Sequence, residues 1–179
     1  MSKLALLGGA PIRTAPFPAW PVFDETEERA LLDVLRGGRW WRYTMGEATQ
    51  PDSAGAADSA VVTFQRDFAQ AQDSRFGIAC STGTAALEVG LKALGVRPGD
   101  DVVVPPYTFI ATASAPMLIG ARPVFCDIEA ATWNLDPKRL EEAITPNTRA
   151  IVPVHFAGLA ADMESAAMAL WITRKSVHQ

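Results

Sequence analysis

Apolar positions along the chain follow two different periods, and the period changes repeatedly after residue 75. Residues 76–80 are apolar at alternate positions, which predicts a strand, while residues 87–94 carry leucines at helical spacing. Further strands are predicted at residues 102–104, 123–128 and 150–154, each followed by a helical pattern. This alternation predicts an α/β fold with a mostly parallel sheet and helices on both of its faces.

The residues before position 61 have a different character. Residues 1–43 combine an arm rich in Pro and Gly with one helix, which is predicted to begin at a capping box of Asp24 and Glu27. Residues 44–60 are small, polar and without periodicity, which predicts a flexible loop. We therefore expect an arm with a first helix, then this loop, then a domain over residues 61–179.

Polar and aromatic residues follow the predicted strands where each strand stops. In a parallel sheet, ligands bind beyond the carboxyl ends of the strands. Residues 81–84, residues 107–109 and His155 all fall at that edge. Gly83 opens a helix there, and the unpaired N–H groups and dipole of a helix start favour a phosphate. The sequence therefore predicts a phosphate site at the start of this helix.

The hydroxyl groups around Gly83 allow two interpretations. Those of Ser81, Thr82 and Thr84 either donate to the same phosphate or only cap the helix, and the sequence leaves both open. The stretch is not a P-loop, because no Gly-Lys-Ser/Thr follows it. Thr108 is predicted to cap the next helix, in which Pro116 is expected to cause a kink or a loss of stability.

Aromatic residues beside a phosphate site suit a planar aromatic phosphate, whose ring would stack on Phe109 or Tyr107. Trp40 and Trp41 are flanked by charges and form either a surface anchor, a pocket wall or a subunit contact. His155 ends a predicted strand and is either a structural hydrogen-bonding residue or a catalytic one. These alternatives stay open at the level of sequence.

Composition narrows the class of protein. The chain has 179 residues, of which 49% are hydrophobic and 20% charged, as in a globular domain. A net charge of −4 argues against nucleic acid as a partner. Cys80 and Cys126 fall on predicted buried strands and are interpreted as small core residues, with no metal site. No apolar run approaches the roughly 20 residues that span a bilayer, so a cytoplasmic protein is expected.

Several motifs in series resemble those of the DegT/DnrJ/EryC1/StrS aminotransferases. These are CSTGTAAL at 80–87, PGD at 98–100, VPPYTFIAT at 104–112, ITP at 144–146 and PVH at 153–155. The resemblance implies the large domain of a fold type I enzyme that uses pyridoxal 5′-phosphate (PLP) to aminate keto sugars and cyclitols. The stretches at 18–21 and 40–42 are similar to the branch with aminohydroxybenzoate synthases and inosose aminotransferases, which implies a carbocyclic keto substrate.

The same resemblance implies roles for particular residues. Gly83, Thr84 and Ala85 would hold the cofactor phosphate, and Phe109 would stack on the pyridine ring. His155 would belong to a His-x-x-Gly signature. The other residues of a possible pocket are Ser81, Thr82, Tyr107, Trp40 and Trp41. Relatives typically carry Asn in place of Thr82, and they lack most of the loop at residues 49–60.

Transamination also needs a lysine that holds the cofactor and a carboxylate on the pyridine nitrogen. The lysines are Lys3, Lys92, Lys138 and Lys175, and none is predicted at the ligand edge, so no catalytic residue is assigned. We therefore expect the amino-terminal part of an aminotransferase, truncated, with a keto substrate, an amino donor and a homodimer in the intact family. The alternatives are a non-catalytic remnant that pairs with another subunit, a dehydratase-type relative, and a chain that folds poorly.

Overall fold

The computed structural model describes residues 3–38, 40 and 59–176, with side chains described as far as residue 169. The chain divides into two compact units, Met1–Gly77 and Ile78–Gln179. Most of the predicted loop at residues 44–60 lies outside the described residues, so the three-part division of the chain stays a prediction. Among the described helices, none is long and apolar enough to cross a membrane.

The first unit contains a short 3₁₀ helix, Ala5–Leu7, and two α-helices, α1 (Glu25–Gly37) and α2 (Ala60–Ala71). The predicted capping box of α1 is confirmed. The Asp24 carboxylate accepts from Thr26 N at 2.7 Å, and Asp24 N donates to the Glu27 carboxylate at 2.9 Å. Helix α1 stops at Gly38, whose left-handed φ of +66° suits a residue without Cβ.

The second unit alternates helices and strands. Its elements are α3 (Gly83–Ala93), β1 (Asp101–Val104), α4 (Ala111–Leu118), β2 (Arg122–Phe125), a 3₁₀ helix (Pro137–Arg139) continuing into α5 (Leu140–Ala143), β3 (Thr148–Ile151), a 3₁₀ helix (Phe156–Gly158) and α6 (Met163–Ser176). The three strands are parallel and lie in the order β2-β1-β3. The predicted parallel α/β architecture is confirmed.

Strand β1 is the centre of this unit and is buried along its whole length. Val102 and Val104 join a core cluster with residues of α3 and α4, such as Leu91 and Ala113. Val103 points to the other face and packs in a second cluster that includes Leu140 of α5. Because successive side chains of a strand point to opposite faces, a continuous apolar run is what a sheet covered on both sides requires.

The predicted strand at residues 76–80 is wrong. These residues are extended but form no strand in the described part of the chain, with Phe76 71% and Ile78 64% exposed. A strand is stable only when a neighbour takes up its N–H and C=O groups, and none of the described strands lies beside this segment. Its apolar residues do alternate, but an alternating pattern does not by itself provide a neighbouring strand.

The start of α4 also differs from its prediction. The helix begins at Ala111, and Thr108 does not cap it; the Thr108 hydroxyl instead bonds to the Thr112 hydroxyl at 2.9 Å. Pro116 lies inside α4 and is fully buried, but the helix ends two residues later, at Leu118. A proline this close to the end of a helix interrupts few backbone hydrogen bonds.

An ion pair between a buried carboxylate and an exposed guanidinium joins the amino ends of two strands. The Asp101 side chain, 1% exposed at the start of β1, accepts two hydrogen bonds of 2.7 Å from the guanidinium of Arg122 at the start of β2. The Thr145 hydroxyl, just before β3, donates to the same carboxylate at 2.6 Å. The Arg122 guanidinium keeps the pKa of the Asp101 carboxyl below its usual value of 3.8, with a smaller contribution from Thr145.

We expect Asp101→Asn to lower the free energy of unfolding by about 2 kcal/mol at neutral pH, because Arg122 and Thr145 lose a charged acceptor. A carboxyl with a lowered pKa stabilises the fold above its unfolded pKa, and the effect disappears as the pH falls through the folded pKa. Urea unfolding curves at pH values from about 7 down to about 2 measure the difference. The loss of stability in Asp101→Asn should become smaller as the pH falls. Glu141→Gln, at an exposed position, should change the free energy of unfolding little at every pH. An equal effect of both variants would contradict the assignment.

The two cysteines differ in environment, which corrects the expectation that both are core residues. Cys80 is exposed, whereas Cys126 is buried and packs in the cluster with Val103. Burial, with smaller contributions from Asp136 and Asp127, raises the pKa of the Cys126 thiol to about 11.

We expect a thiol reagent at pH of about 8 to label Cys80 rapidly and Cys126 only after unfolding. The Cys126 thiol is buried and stays protonated at this pH, and only the thiolate reacts. Labelling followed by mass spectrometry, with and without urea, gives the stoichiometry. Cys80→Ser should abolish labelling of the native chain. Rapid labelling of native Cys80→Ser would show that the second core cluster opens.

Candidate functional site

Helices α3 and α4 run in the same direction on one face of the sheet. They pack against each other, and the turn after α4 touches the turn after α3, where Gly99 N donates to Gly120 O at 2.9 Å. Gly120 has a φ of +80°, and a Cβ there would lie 3.0 Å from the Pro98 side chain. Both helices therefore end beside the amino edge of the sheet, so their first turns face the carboxyl edge.

The first turn of α3 has the donors that the sequence predicts. Thr82 is its N-cap, and its hydroxyl accepts from Ala85 N at 3.1 Å. The N–H groups of Gly83 and Thr84 have no acceptor among the described residues. A Cβ built on Gly83 would meet no atom within 4 Å, so the space in front of this turn is open. Thr82 is thus a helix cap, and two backbone donors remain available.

Phe109 lies in the loop that joins β1 to α4, at the same edge of the sheet. Its side chain is 76% exposed, and its carbonyl oxygen accepts from Thr112 N at 3.0 Å. An exposed ring beside the carboxyl edge can stack on a planar ligand. The structure therefore brings the predicted phosphate donors and the predicted stacking residue to one edge.

An aromatic cluster joins the loops that follow all three strands. Tyr107 follows β1, Trp133 follows β2 and Phe156 follows β3. Tyr107 meets the other two rings edge-on, with centroids 4.9 and 5.1 Å apart, and Trp133 stacks on Phe156 at 5.9 Å. Trp133 has a left-handed φ of +62°, a conformation that costs about 1 kcal/mol outside glycine, so packing outweighs that cost.

Asn134 connects two of these loops and is only 4% exposed. Its amide nitrogen donates to Leu159 O at 3.1 Å, and its amide oxygen accepts from Phe156 N at 2.9 Å. Tyr107 is among the residues predicted from the sequence, but Trp133, Asn134 and Phe156 are not. Phe156 could have been noticed only as an apolar residue next to the end of a predicted strand. No local signal distinguishes Asn134 from any other loop residue.

His155 lies at the carboxyl edge after β3, as predicted, and its side chain is exposed. Its Nδ1 atom accepts from Ala161 N at 3.0 Å. The residue therefore has a structural hydrogen bond, which is one of the two alternatives predicted from the sequence. A role toward a ligand stays a prediction.

The remaining predicted pocket residues are less informative. Ser81 is exposed directly before α3, and Trp40 belongs to the first unit, where it is 59% exposed. Trp41 lies outside the described residues. Their assignment to a pocket stays a prediction. Within the part of the chain that the structure describes, no three His, Cys, Asp or Glu residues form a group that could hold a metal ion.

These features fit pyridoxal phosphate. Its phosphate needs unpaired donors at a helix start, and Gly83 and Thr84 provide them. Its planar ring needs an apolar face, and Phe109 offers one at the same edge. The N–H of Ala85, the third predicted phosphate donor, is already bonded to Thr82, so its role stays a prediction that requires the cap to open.

We expect Thr82→Ala to reduce the free energy of unfolding by about 1 kcal/mol, because Ala85 N loses its acceptor. Thr82→Asn should retain the stability, since Asn caps a helix as well as Thr does. Urea unfolding followed by circular dichroism measures both. Ser81→Ala, which removes an exposed hydroxyl one residue earlier, is the matched control. Equal losses for Thr82→Ala and Ser81→Ala would contradict the cap.

Comparison with known proteins agrees with this geometry. The sequence profile of the DegT/DnrJ/EryC1/StrS aminotransferase family matches residues 44–170. The chain is 42% identical over 156 residues to 3-amino-5-hydroxybenzoate synthase of Amycolatopsis mediterranei (strain S699), covering 87% of this chain and 37% of that protein. It is 41% identical over 162 residues to L-glutamine:2-deoxy-scyllo-inosose aminotransferase of Streptomyces kanamyceticus, covering 90% and 36%.

The fold agrees as well. The crystal structure of 3-amino-5-hydroxybenzoic acid synthase superposes with a TM-score of 0.77 and 40% identity, covering 90% of this chain and 38% of that one. The chain thus spans little more than a third of the length of these relatives. The family and its structural neighbours are PLP-dependent aminotransferases. With most of its length matched by the family profile, this chain belongs to the DegT/DnrJ/EryC1/StrS aminotransferase family.

Proposed function

We propose that this chain forms the cofactor-phosphate and ring-stacking part of a PLP-dependent aminotransferase that acts on a carbocyclic keto substrate. The observation that carries the proposal is the placement of two unpaired backbone donors, Gly83 N–H and Thr84 N–H, at the same sheet edge as the exposed ring of Phe109. Helix dipole and donors together favour an anion at this turn.

Each residue has a separate task in this proposal. Gly83 and Thr84 bind the phosphate, while Thr82 fixes the helix start through its bond to Ala85 N. Phe109 keeps the ring of the cofactor in one plane and excludes water from one of its faces. When bound, pyridoxal phosphate supplies an electron sink for the carbon that exchanges its amino group. The described residues therefore bind and orient the cofactor.

The substrate class rests on the relatives and on the aromatic cluster. The names of two relatives specify a hydroxybenzoate product and an inosose substrate, both six-membered carbocycles. Tyr107 and Trp133 are each about half exposed at the carboxyl edge. Aromatic faces of this kind suit the apolar side of a six-membered ring. L-glutamine, which the second name specifies, is the amino donor that we propose.

Two further parts of the proposal concern the whole protein. We propose a homodimer because the family resemblance implies an active site that forms between two subunits. A cytoplasmic location is proposed from the absence of long apolar runs in the sequence.

We expect the purified chain to bind pyridoxal phosphate, and Phe109→Ala to weaken the affinity about tenfold through the loss of ring stacking. Equilibrium dialysis with absorbance detection measures the dissociation constant. Ile110→Ala is the matched control, because Ile110 is adjacent and similarly exposed, at 71%. Gly83→Pro removes one phosphate donor at a position where proline is tolerated in a helix, and should weaken binding by a similar factor. Unchanged affinity in both Phe109→Ala and Gly83→Pro would refute the site.

The substrate class predicts selective binding of carbocycles. We expect scyllo-inosose, added to the PLP-loaded chain, to shift the amide resonances of Tyr107, Trp133 and Phe156, because their rings line the carboxyl edge. Pyruvate, an open-chain keto compound, is the control and should leave these resonances in place. Equal shifts with both compounds, or none with scyllo-inosose, would argue against a carbocyclic substrate.

A further inference from the structure

The imidazole of His155 is held in one orientation by the backbone that follows it. Ala161 N donates to Nδ1 at 3.0 Å, and Ala161 is buried. A ring nitrogen that accepts a hydrogen bond carries a lone pair, so the proton of the neutral ring resides on Nε2. The contact therefore selects one of the two neutral tautomers.

The segment between His155 and Ala161 is itself clamped. Asn134 reaches across from the loop after β2 and bonds to Phe156 N and Leu159 O, near the two ends of this segment. Inside it, Ala157 and Gly158 both have left-handed backbone angles, with φ of +51° and +85°. An alanine adopts this conformation only when surrounding contacts enforce it. Asn134 supplies two such contacts from a buried position.

The other ring nitrogen faces away from this frame. Nδ1 and Nε2 lie on different sides of an imidazole, and Nε2 has no partner among the described residues. His155 is exposed at the carboxyl edge, where the loops after β1 and β2 also arrive. A neutral imidazole fixed in this way offers an N–H donor and no free acceptor.

We propose that Asn134 is a positioning residue that locks the 155–161 segment, and that His155 is thereby held as the Nε2–H tautomer, a permanent hydrogen-bond donor to an oxygen atom of the bound ligand. This assignment gives His155 a binding role and excludes its neutral form as a proton acceptor at Nδ1. The ligand oxygen would be a phosphate or phenolate oxygen of the proposed cofactor, since both accept a hydrogen bond. The last step rests on the proposed cofactor site; the tautomer and the role of Asn134 do not.

The tautomer can be measured in the ligand-free chain. His178 is the other histidine in the sequence, so ¹⁵N-histidine labelling of a His178→Gln chain reports on His155 alone. Long-range ¹H–¹⁵N correlation at pH of about 8.5, above the ordinary histidine range near 6.5, separates the tautomers. We expect the Nε2–H form in at least about tenfold excess, as one retained hydrogen bond would give. An excess of the Nδ1–H form, or equal averaging of both, would overturn the proposal.

The role of Asn134 is tested in the same background. Asn134→Ala should move the two ring-nitrogen shifts toward averaged values while the amide spectrum of β1 stays dispersed. Asn147→Ala, which truncates an exposed asparagine, should leave the ring shifts unchanged. Asn134→Asp keeps an acceptor for Phe156 N and is the second variant if Asn134→Ala fails to fold. Its two ring-nitrogen shifts should lie between those of the unsubstituted chain and the averaged values. Unaltered ring shifts in a folded Asn134 variant would refute the positioning role.

The ligand contact is tested with pyridoxal phosphate. The amides of Gly83 and Thr84 report cofactor binding independently of His155. If these amides and the His155 Nε2–H resonance all shift, the donor role is supported. If the amides shift and Nε2–H does not, the donor role toward the cofactor is overturned while the proposed cofactor site stands. If neither shifts, the proposed site fails together with the donor role, and the tautomer result is still decided by the ligand-free spectra.

Discussion

Complete burial of one central strand is the constraint on which the second unit depends. Strand β1 pairs on both sides and packs on both faces, so its neighbours β2 and β3 must run parallel to it and helices must cover each face. The bidentate contact between Asp101 and Arg122 fixes the strand starts in register at the amino edge. Strand β2 ends opposite Val104 and β3 ends opposite Val103, so the three strands end within one residue of each other.

Aromatic residues meet at the carboxyl edge because the three strands end there. The loops that leave β1, β2 and β3 converge there, and Tyr107, Trp133 and Phe156 pack against one another across them. Helices α3 and α4 present their first turns to the same edge, so the free donors of Gly83 and Thr84 lie at the edge that also carries Phe109. The proposed phosphate donors and the proposed stacking ring thus share one edge because of how parallel strands and helices pack. Ion pairing stabilises one edge of the sheet, and ligand binding is assigned to the opposite one.

Local sequence signals were reliable where the deciding interaction is also local. The capping box of Asp24 and Glu27, the helix start at Gly83 and the apolar run of β1 all depend on neighbours within a few residues or on burial that the composition reveals. The signals failed where a distant partner decides. Residues 76–80 have the pattern of a strand but no neighbouring strand among the described residues. One local signal also misled, because Thr108 bonds to Thr112, four residues later, instead of capping α4.

By itself, the sequence determined the parallel α/β class, the helix that opens at Gly83 and the family to which the chain belongs. These depend on periodicity, on short-range hydrogen bonds and on a series of motifs. Only the tertiary structure decided that Asn134 clamps the segment after His155 and that Trp133 and Phe156 join Tyr107. These contacts join residues 22 to 49 positions apart, and no local pattern specifies which distant loops will meet. The fold supplies that information because it ends three strands at one edge.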